Sequence, residues 1–339
     1  MINKKEVITL AHGSGGRATS DLIHSVILKY FGYQNPDSLQ DYAKLNFESN
    51  TNIAFTTDSF VVNPIFFPGG DIGTLAVNGT VNDLSVGGSF PLYLSCAFII
   101  EEGLEIDDLQ KIVISMSKAA QNAGTKIVTG DVKVVEKGAA DKIYINTTGI
   151  GSIYNGVNID STHAQEGDDI IVSGYIGDHG AAIIDARGNL KIDIPVESDC
   201  KPVNKLIKRM IDVCSDIHCL RDATRGGVAT VLNEIAMDSK ICIQLEESSI
   251  PVRDTVKGMC ELLGFDPLYL ANEGTIVAVV PNIHTESILK EMKKDPAGED
   301  SCLIGKVTAK YRGNVSIRNA FGSERIIDIM YGDQLPRIC

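Results

Sequence analysis

The stretch TTDSFVVNPIFFPGGDIGTLAVNGTVNDLSVGG carries three aspartates, Asp58, Asp71 and Asp83, each where a chain changes direction. Asp58 directly follows a β-rich run. Asp71 stands where an N-cap opens a helical stretch from Ile72, and Asp83 precedes the pair Gly87 and Gly88. Carboxylates gathered at strand ends and helix starts suit a hard cation such as Mg²⁺, which is held by a few carboxylates together with substrate phosphates. Taken one at a time, the same residues read as a cap and turn residues. A fourth carboxylate, Asp131, lies two residues before Lys133 in the β-run IVTGDVKVV, so the two share a face. One of them can hold metal while the other neutralises a phosphate or an activated oxygen. The plainer alternative is an exposed ion pair.

In LRDATRGGVATVLNEIA, Arg221, Asp222 and Arg225 precede two glycines at the start of an apolar-periodic helix. Gly226 and Gly227 allow close approach, and the free N–H groups of a helix start favour an anion. An Arg–Asp contact that only anchors the helix is the alternative reading. Glu273, in YLANEGTIVAVV, sits before a glycine and a strand, a loop position suited to a general base. AHGSGGRATSDLI is glycine-rich yet fits neither the P-loop nor the dinucleotide pattern, leaving an anion-tolerant arm with His12 and Arg17 as polar handles. The chain ends in GDQLPRIC, with Cys339 last. A thiol on a tether can carry a small acyl group, because its esters and carbamates are transferable.

These residues need elements to position them. NIAFTTD, PLYLSCAFII, TKIVTGDVKVV and DKIYINTTGIGSI read as strands, and EIDDLQKIVISMSKAAQNAG reads as an amphipathic helix stopped by Gly124. A polar, glycine-bearing stretch then precedes IIVSG, and the domain boundary is placed there. Helical periods follow near 201–213, 226–237 and 253–263, with strands near 241–245, 275–280 and 302–307. The expected organisation is an α/β domain over 1–152, an α+β domain over 153–329, and a flexible tail over 330–339. Fully extended, the nine residues from Tyr331 to Cys339 reach roughly 30 Å at about 3.3 Å each. Gly332 offers a pivot, Pro336 stiffens the end, and Arg337 lies near the thiol.

Composition narrows the function classes. A chain of 339 residues with 44% hydrophobic and 22% charged residues is an ordinary globular protein, large enough for two cores. A net charge of −13 argues against nucleic acid or an anionic membrane as partner. No apolar run approaches the roughly 20 residues of a membrane span, and the N-terminus does not read as a signal peptide. Eight scattered cysteines point to reduced thiols in a cytoplasmic compartment. Cys214, His218 and Cys219, with Cys200 upstream, lack the paired spacing of a structural zinc site.

Taken together, HGSGGR, the aspartate-bearing stretch, TGDVKVV, RDATRGG, ANEG and PRIC resemble the HypE family. These are the carbamoyl-dehydrating maturation factors of nickel-iron hydrogenases, in the superfamily of aminoimidazole ribonucleotide synthetase and selenophosphate synthetase. The motifs occur in order from residue 12 to residue 339. The resemblance implies a PurM-like ATP-binding fold whose N-terminal domains pair into a homodimeric β-barrel, with ATP and Mg²⁺ bound beside it. It implies that Asp58, Asp71, Asp83 and Asp131 are the acidic, ATP-handling residues, with Asp58, Asp83 and Asp131 on the metal. It further implies Asn82 as a neighbouring contact, Arg225 among the cofactor-binding residues, Lys133 as a substrate-side cation and Glu273 as the base. A HypF-type carbamoyltransferase would load Cys339 with a carbamoyl group. ATP would phosphorylate the carbamoyl oxygen, and loss of phosphate would leave a thiocyanate whose cyanide passes to iron on a HypC–HypD complex, with ADP and phosphate released.

Two alternatives are weighed against this. A superfamily synthetase or kinase acting on a free small molecule needs no terminal thiol. A redox-sensing scaffold that uses Cys339 in a mixed disulfide leaves the convergent aspartates without a purpose.

Overall fold

The computed structural model describes residues 6–14, 16–31, 43–45, 47, 51–188, 196–330 and 338–339. Gly332, Pro336 and Arg337 lie outside the described residues. In the first half, α1 (Arg17–Leu22) and α2 (Lys29–Phe31) flank a π-helical turn. They are followed by β1 (Ile53–Phe60), the short pair β2 (Phe66–Phe67) and β3 (Gly70–Asp71), α3 (Ile72–Val86), β4 (Ser89–Glu101), α4 (Ile106–Ala123), β5 (Lys126–Val135) and β6 (Ile143–Ile153). Four strands make one sheet in the order β1-β6-β4-β5. β4 and β5 run parallel, which requires the α4 crossover, and the other pairings are antiparallel.

α4 buries Leu109, Ile112, Val113, Met116, Ala119, Ala120 and Ala123, the stripe its spacing predicts, and Gly124 closes it at φ +74°. α3 has no such polar face. Nearly every residue from Ile72 to Val86 is buried, because this helix packs on its own sheet and also on the second half of the chain. On the opposite face of the sheet Phe47 meets Tyr93 edge-on, and Phe55, Phe90 and Ile99 are exposed among the described residues. The N-terminal arm is anchored by Ile8, which exchanges backbone hydrogen bonds with Leu104 and Gly103.

The second half contains β7 (Asp169–Val172), α5 (Asp178–Ala186), α6 (Asn204–Val213), β8 (Cys219–Asp222), α7 (Gly227–Ser239), β9 (Cys242–Glu246), α8 (Asp254–Leu263), β10 (Ile276–Val280), α9 (Thr285–Met292), β11 (Cys302–Thr308), β12 (Asn314–Arg318) and β13 (Glu324–Ile327). Its seven strands form a mixed sheet in the order β13-β12-β9-β11-β7-β10-β8. β10 is buried along its whole length, because it lies inside the edge strand β8 with packed helices on both faces of the sheet. The two halves meet across α3, which contacts α6 and β8. Among the described residues, no helix is long and apolar enough to cross a membrane.

Candidate functional site

The meeting of the two halves gathers carboxylates from four elements. Asp58 lies near the end of β1, Asp83 on the last turn of α3, Asp222 at the end of β8, and Glu273 in the loop before β10. Alternation along β1 turns Asp58 and Thr56 toward α3, where the Thr56 hydroxyl donates to Asp83 Oδ2 at 3.0 Å. Burial pushes the Asp83 carboxyl up to about 7, and the negative charges of Asp222 and Asp58 add to the rise. Burial likewise raises Asp58, where Ser59 N–H and the positive charge of Arg225 oppose it.

Glu273 is 3% exposed, and its Oε1 has no hydrogen-bond partner among the described residues. Burial holds it well above the ordinary carboxyl range, and Asp199, Asp222, Asp58 and Asp83 push it further. Its backbone is fixed from both sides. Asp199 accepts from Glu273 N–H at 2.9 Å and from Gly274 N–H at 3.0 Å, while Asn82 Nδ2 donates to the Glu273 carbonyl at 3.2 Å. Gly274 is needed for this approach, since a Cβ there would stand 2.0 Å from the Asp199 carbonyl oxygen.

Asn82 is wholly committed to such contacts. Its Nδ2 also donates to the Lys201 carbonyl at 3.1 Å, and its Oδ1 accepts from Val203 N–H at 2.9 Å.

Cys339 reaches this cluster. Val61 N–H donates to its main-chain oxygen at 3.0 Å, and Ile338 packs in the core that contains Ile183 and Ala271. The Cys339 thiol is pushed up to about 12 by burial first and then by Glu273; Arg225 opposes this, and Asp58 and Asp222 add to it. Arg225 is thus the positive charge that bears on both Asp58 and the thiol. It stands in the turn before α7, where Gly227 has φ +60° and a Cβ would lie 2.5 Å from the Leu268 carbonyl oxygen.

The remaining expected residues lie elsewhere. Asp71 is the N-cap of α3: it accepts from Thr74 N–H at 2.8 Å and from the Ser115 hydroxyl at 2.6 Å. Asp131 and Lys133 form an exposed ion pair at 2.6 Å on β5, the edge of the first sheet opposite β1. Their register partners on β4 are Ala97 and Ile99, which places both side chains on the face that also exposes Ile99, away from Asp58. The structure therefore joins Asp58, Asp83, Glu273, Arg225 and Cys339, and leaves Asp131 and Lys133 apart from them within one chain. Among the described residues, no three His, Cys, Asp or Glu side chains converge in metal-ligand geometry.

Three residues near the cluster carried no motif: His179, Ser198 and Asp199. They act through long-range hydrogen bonds that no local spacing encodes. Asp222 was visible in RDATRGG, but only as a partner for arginine.

The AIR synthase related protein N-terminal domain family matches residues 39–153, and the corresponding C-terminal domain family matches residues 165–318. The chain is 47% identical to the carbamoyl dehydratase HypE of Rhodobacter capsulatus, over 100% of both chains. It superposes on a crystal structure of the hydrogenase maturation protein HypE in complex with ATP with a TM-score of 0.93 at 46% identity, covering 97% of this chain and 99% of that one. A HypE–HypF complex structure matches at 48% identity and a TM-score of 0.81, covering 91% and 99%.

Proposed function

The chain belongs to the AIR synthase related family and, within it, to the HypE carbamoyl dehydratases of hydrogenase maturation, and from that membership we propose that it dehydrates a carbamoyl group carried on its own Cys339. The observation that carries this reading is the burial of the chain-end thiol of Cys339 within the electrostatic reach of Glu273, a buried carboxyl whose Oε1 has no hydrogen-bond partner among the described residues.

The steps follow from the residues. A HypF-type carbamoyltransferase loads the thiol as R–S–C(O)NH₂. The carbamoyl oxygen attacks the γ-phosphorus of ATP and ADP leaves, while one N–H proton is lost. The second N–H proton goes to Glu273 as the C–O bond breaks, leaving R–S–C≡N and inorganic phosphate. Arg225 offsets negative charge beside the thiol. Burial and the surrounding carboxylates favour the protonated form of Glu273 and so oppose its action as a base. A cation among Asp58, Asp83 and Asp222 would remove that opposition. Among the described residues the three carboxylates alone do not converge in metal-ligand geometry, but burial and the charges of Asp222 and Asp58 raise Asp83 to about 7, and a cation held jointly with the phosphates of ATP would relieve that charge. Mg²⁺ held there would supply the positive charge that binds the triphosphate and stabilises its transferring phosphoryl group.

Lys133 fits this scheme in a homodimer. β1 and β5 are the two outermost strands of the sheet, and its face away from α3 exposes Phe55, Phe90 and Ile99. A second copy that sets its β5 beside β1 covers that face and brings its Lys133 and Asp131 toward Cys339 of the first. The product cyanide would go to iron on a HypC–HypD complex, for the cyanide-bearing iron centre of a nickel-iron hydrogenase. All eight cysteines are free thiols, which supports a cytoplasmic setting.

The test is the mass of the C-terminal peptide after incubation with the carbamoyltransferase, carbamoyl phosphate and ATP. The expected result is addition of a carbamoyl group followed by loss of one water. A carbamoyl adduct that keeps its water in the presence of ATP and Mg²⁺ would sink the reading.

A further inference from the structure

His179 is the second residue of α5, is 0% exposed, and belongs to no motif that the reaction uses. Its Nε2 lies 2.8 Å from the carbonyl oxygen of Ile338, the residue before the carrier thiol. Its Nδ1 lies 2.8 Å from Ser198 Oγ, and Ser198 Oγ lies 3.1 Å from Cys200 N. Only one assignment of protons satisfies all three contacts with a neutral ring. A carbonyl can only accept, so Nε2 carries the hydrogen. Nδ1 must then accept from the Ser198 hydroxyl, whose oxygen accepts in turn from Cys200 N–H. Burial lowers the His179 pKa, in keeping with a neutral ring. Phe67 meets the imidazole edge-on with ring centroids 5.5 Å apart, and fixes its plane.

The tail is thus held at two successive residues, at Ile338 by His179 and at Cys339 by Val61. The His179 contact is wired through Ser198 to the segment whose Asp199 accepts the N–H groups of Glu273 and Gly274. The same loop therefore sets the depth of the tail and the position of the carboxyl it must meet.

We propose that His179, oriented by Ser198, is the positioning residue that seats the carrier tail, by donating a hydrogen bond to the Ile338 carbonyl and so placing the Cys339 sulfur beside Glu273. The proposal rests on the carrier reading for its purpose, and its test needs neither ATP nor a carbamoyl group. The rate at which iodoacetamide alkylates Cys339 in the full chain, followed by mass spectrometry of the C-terminal peptide at pH 8, reports how often the tail leaves its seat.

Loss of one buried hydrogen bond in His179→Leu should speed alkylation about tenfold. In His179→Gln the side-chain amide can still donate near the Nε2 position, and the rate should stay within about threefold of the unaltered chain. Ser198→Ala frees the tautomer and should accelerate alkylation severalfold; it also carries the test should His179→Leu fail to fold. The proposal is overturned by a His179→Leu or Ser198→Ala rate equal to that of the unaltered chain. It is equally overturned by a His179→Gln rate as fast as that of His179→Leu, which would make the role one of packing alone. A tail that is protected in this assay, in a chain that never loses water from its carbamoyl adduct, would leave the seat standing and defeat the carrier reading.

Discussion

Asp83 has a folded pKa of about 7 against an ordinary value of 3.8, so it binds its proton more tightly in the folded chain than in the unfolded one. The contribution to stability is therefore complete below about pH 4 and is lost as pH rises through about 7. Without ATP or metal, the melting temperature should fall between pH 5 and pH 8. Asp83→Asn should flatten that slope and raise the pH 8 melting point by a few degrees. Thermal melts across this range decide it, and an unchanged slope in the variant would refute the burial argument. Glu273 poses the kinetic counterpart. Glu273→Gln keeps the shape and removes the base, so the carbamoyl adduct on Cys339 should still form while loss of water slows by about a hundredfold or more. Single-turnover mass spectrometry separates the two steps, and near-normal dehydration in the variant would remove Glu273 from the role of base.

The elements carrying these residues were unequally legible. α4 and the four strands of the first sheet follow from periodicity, because each has one buried face and one wet one. α5 went unread: DHGAAIIDA is short, buried on nearly all sides and preceded by a left-handed glycine, so it has neither stripe nor N-cap signal. β12 and β13 are shorter still and lie at one end of the second sheet. The candidate site divides in the same way. Aspartates at element ends announce themselves, whereas the Asp199 clamp on Glu273 and the His179 seat for the tail exist only after folding brings residues about 75 to 160 positions apart together. Asp71 shows what a sequence leaves ambiguous, since a cap and a cofactor ligand call for the same residue. The structure makes it a cap with Ser115 as a second donor, so Asp71→Asn should fold and turn over normally, while Asp71→Ala should lose about 1 kcal/mol or more of stability. Denaturant titration measures the second effect. An Asp71→Asn chain that folds yet no longer binds ATP would show instead that the carboxylate handles the nucleotide.

At the scale of the whole molecule, the cluster is divided between two halves and, on our proposal, between two copies. Asp58 and Asp83 belong to the first sheet and its helix, while Asp222, Arg225 and Glu273 belong to the second half, so any shear between the halves disperses the site. Lys133 stands at the opposite edge of the first sheet from β1 and on its other face, where it pairs with Asp131, away from Cys339 of its own chain. A lysine so placed can act on Cys339 only if it comes from a neighbouring copy. Chains carrying Lys133→Ala alone, or Cys339→Ala alone, should each fail to form thiocyanate. Mixed after dissociation and reassociation, they should regain it, because a heterodimer pairs the intact Cys339 of one chain with the intact Lys133 of the other. Random pairing makes half of the dimers mixed, each with one competent site of two, so the recovered amplitude should approach a quarter of that given by the unaltered protein. Burst mass spectrometry of the C-terminal peptide from the Lys133→Ala chain is the readout. No recovery in a mixture shown by native mass spectrometry to contain heterodimers would return Lys133 to its own chain, and would require β5 to move before the reaction begins.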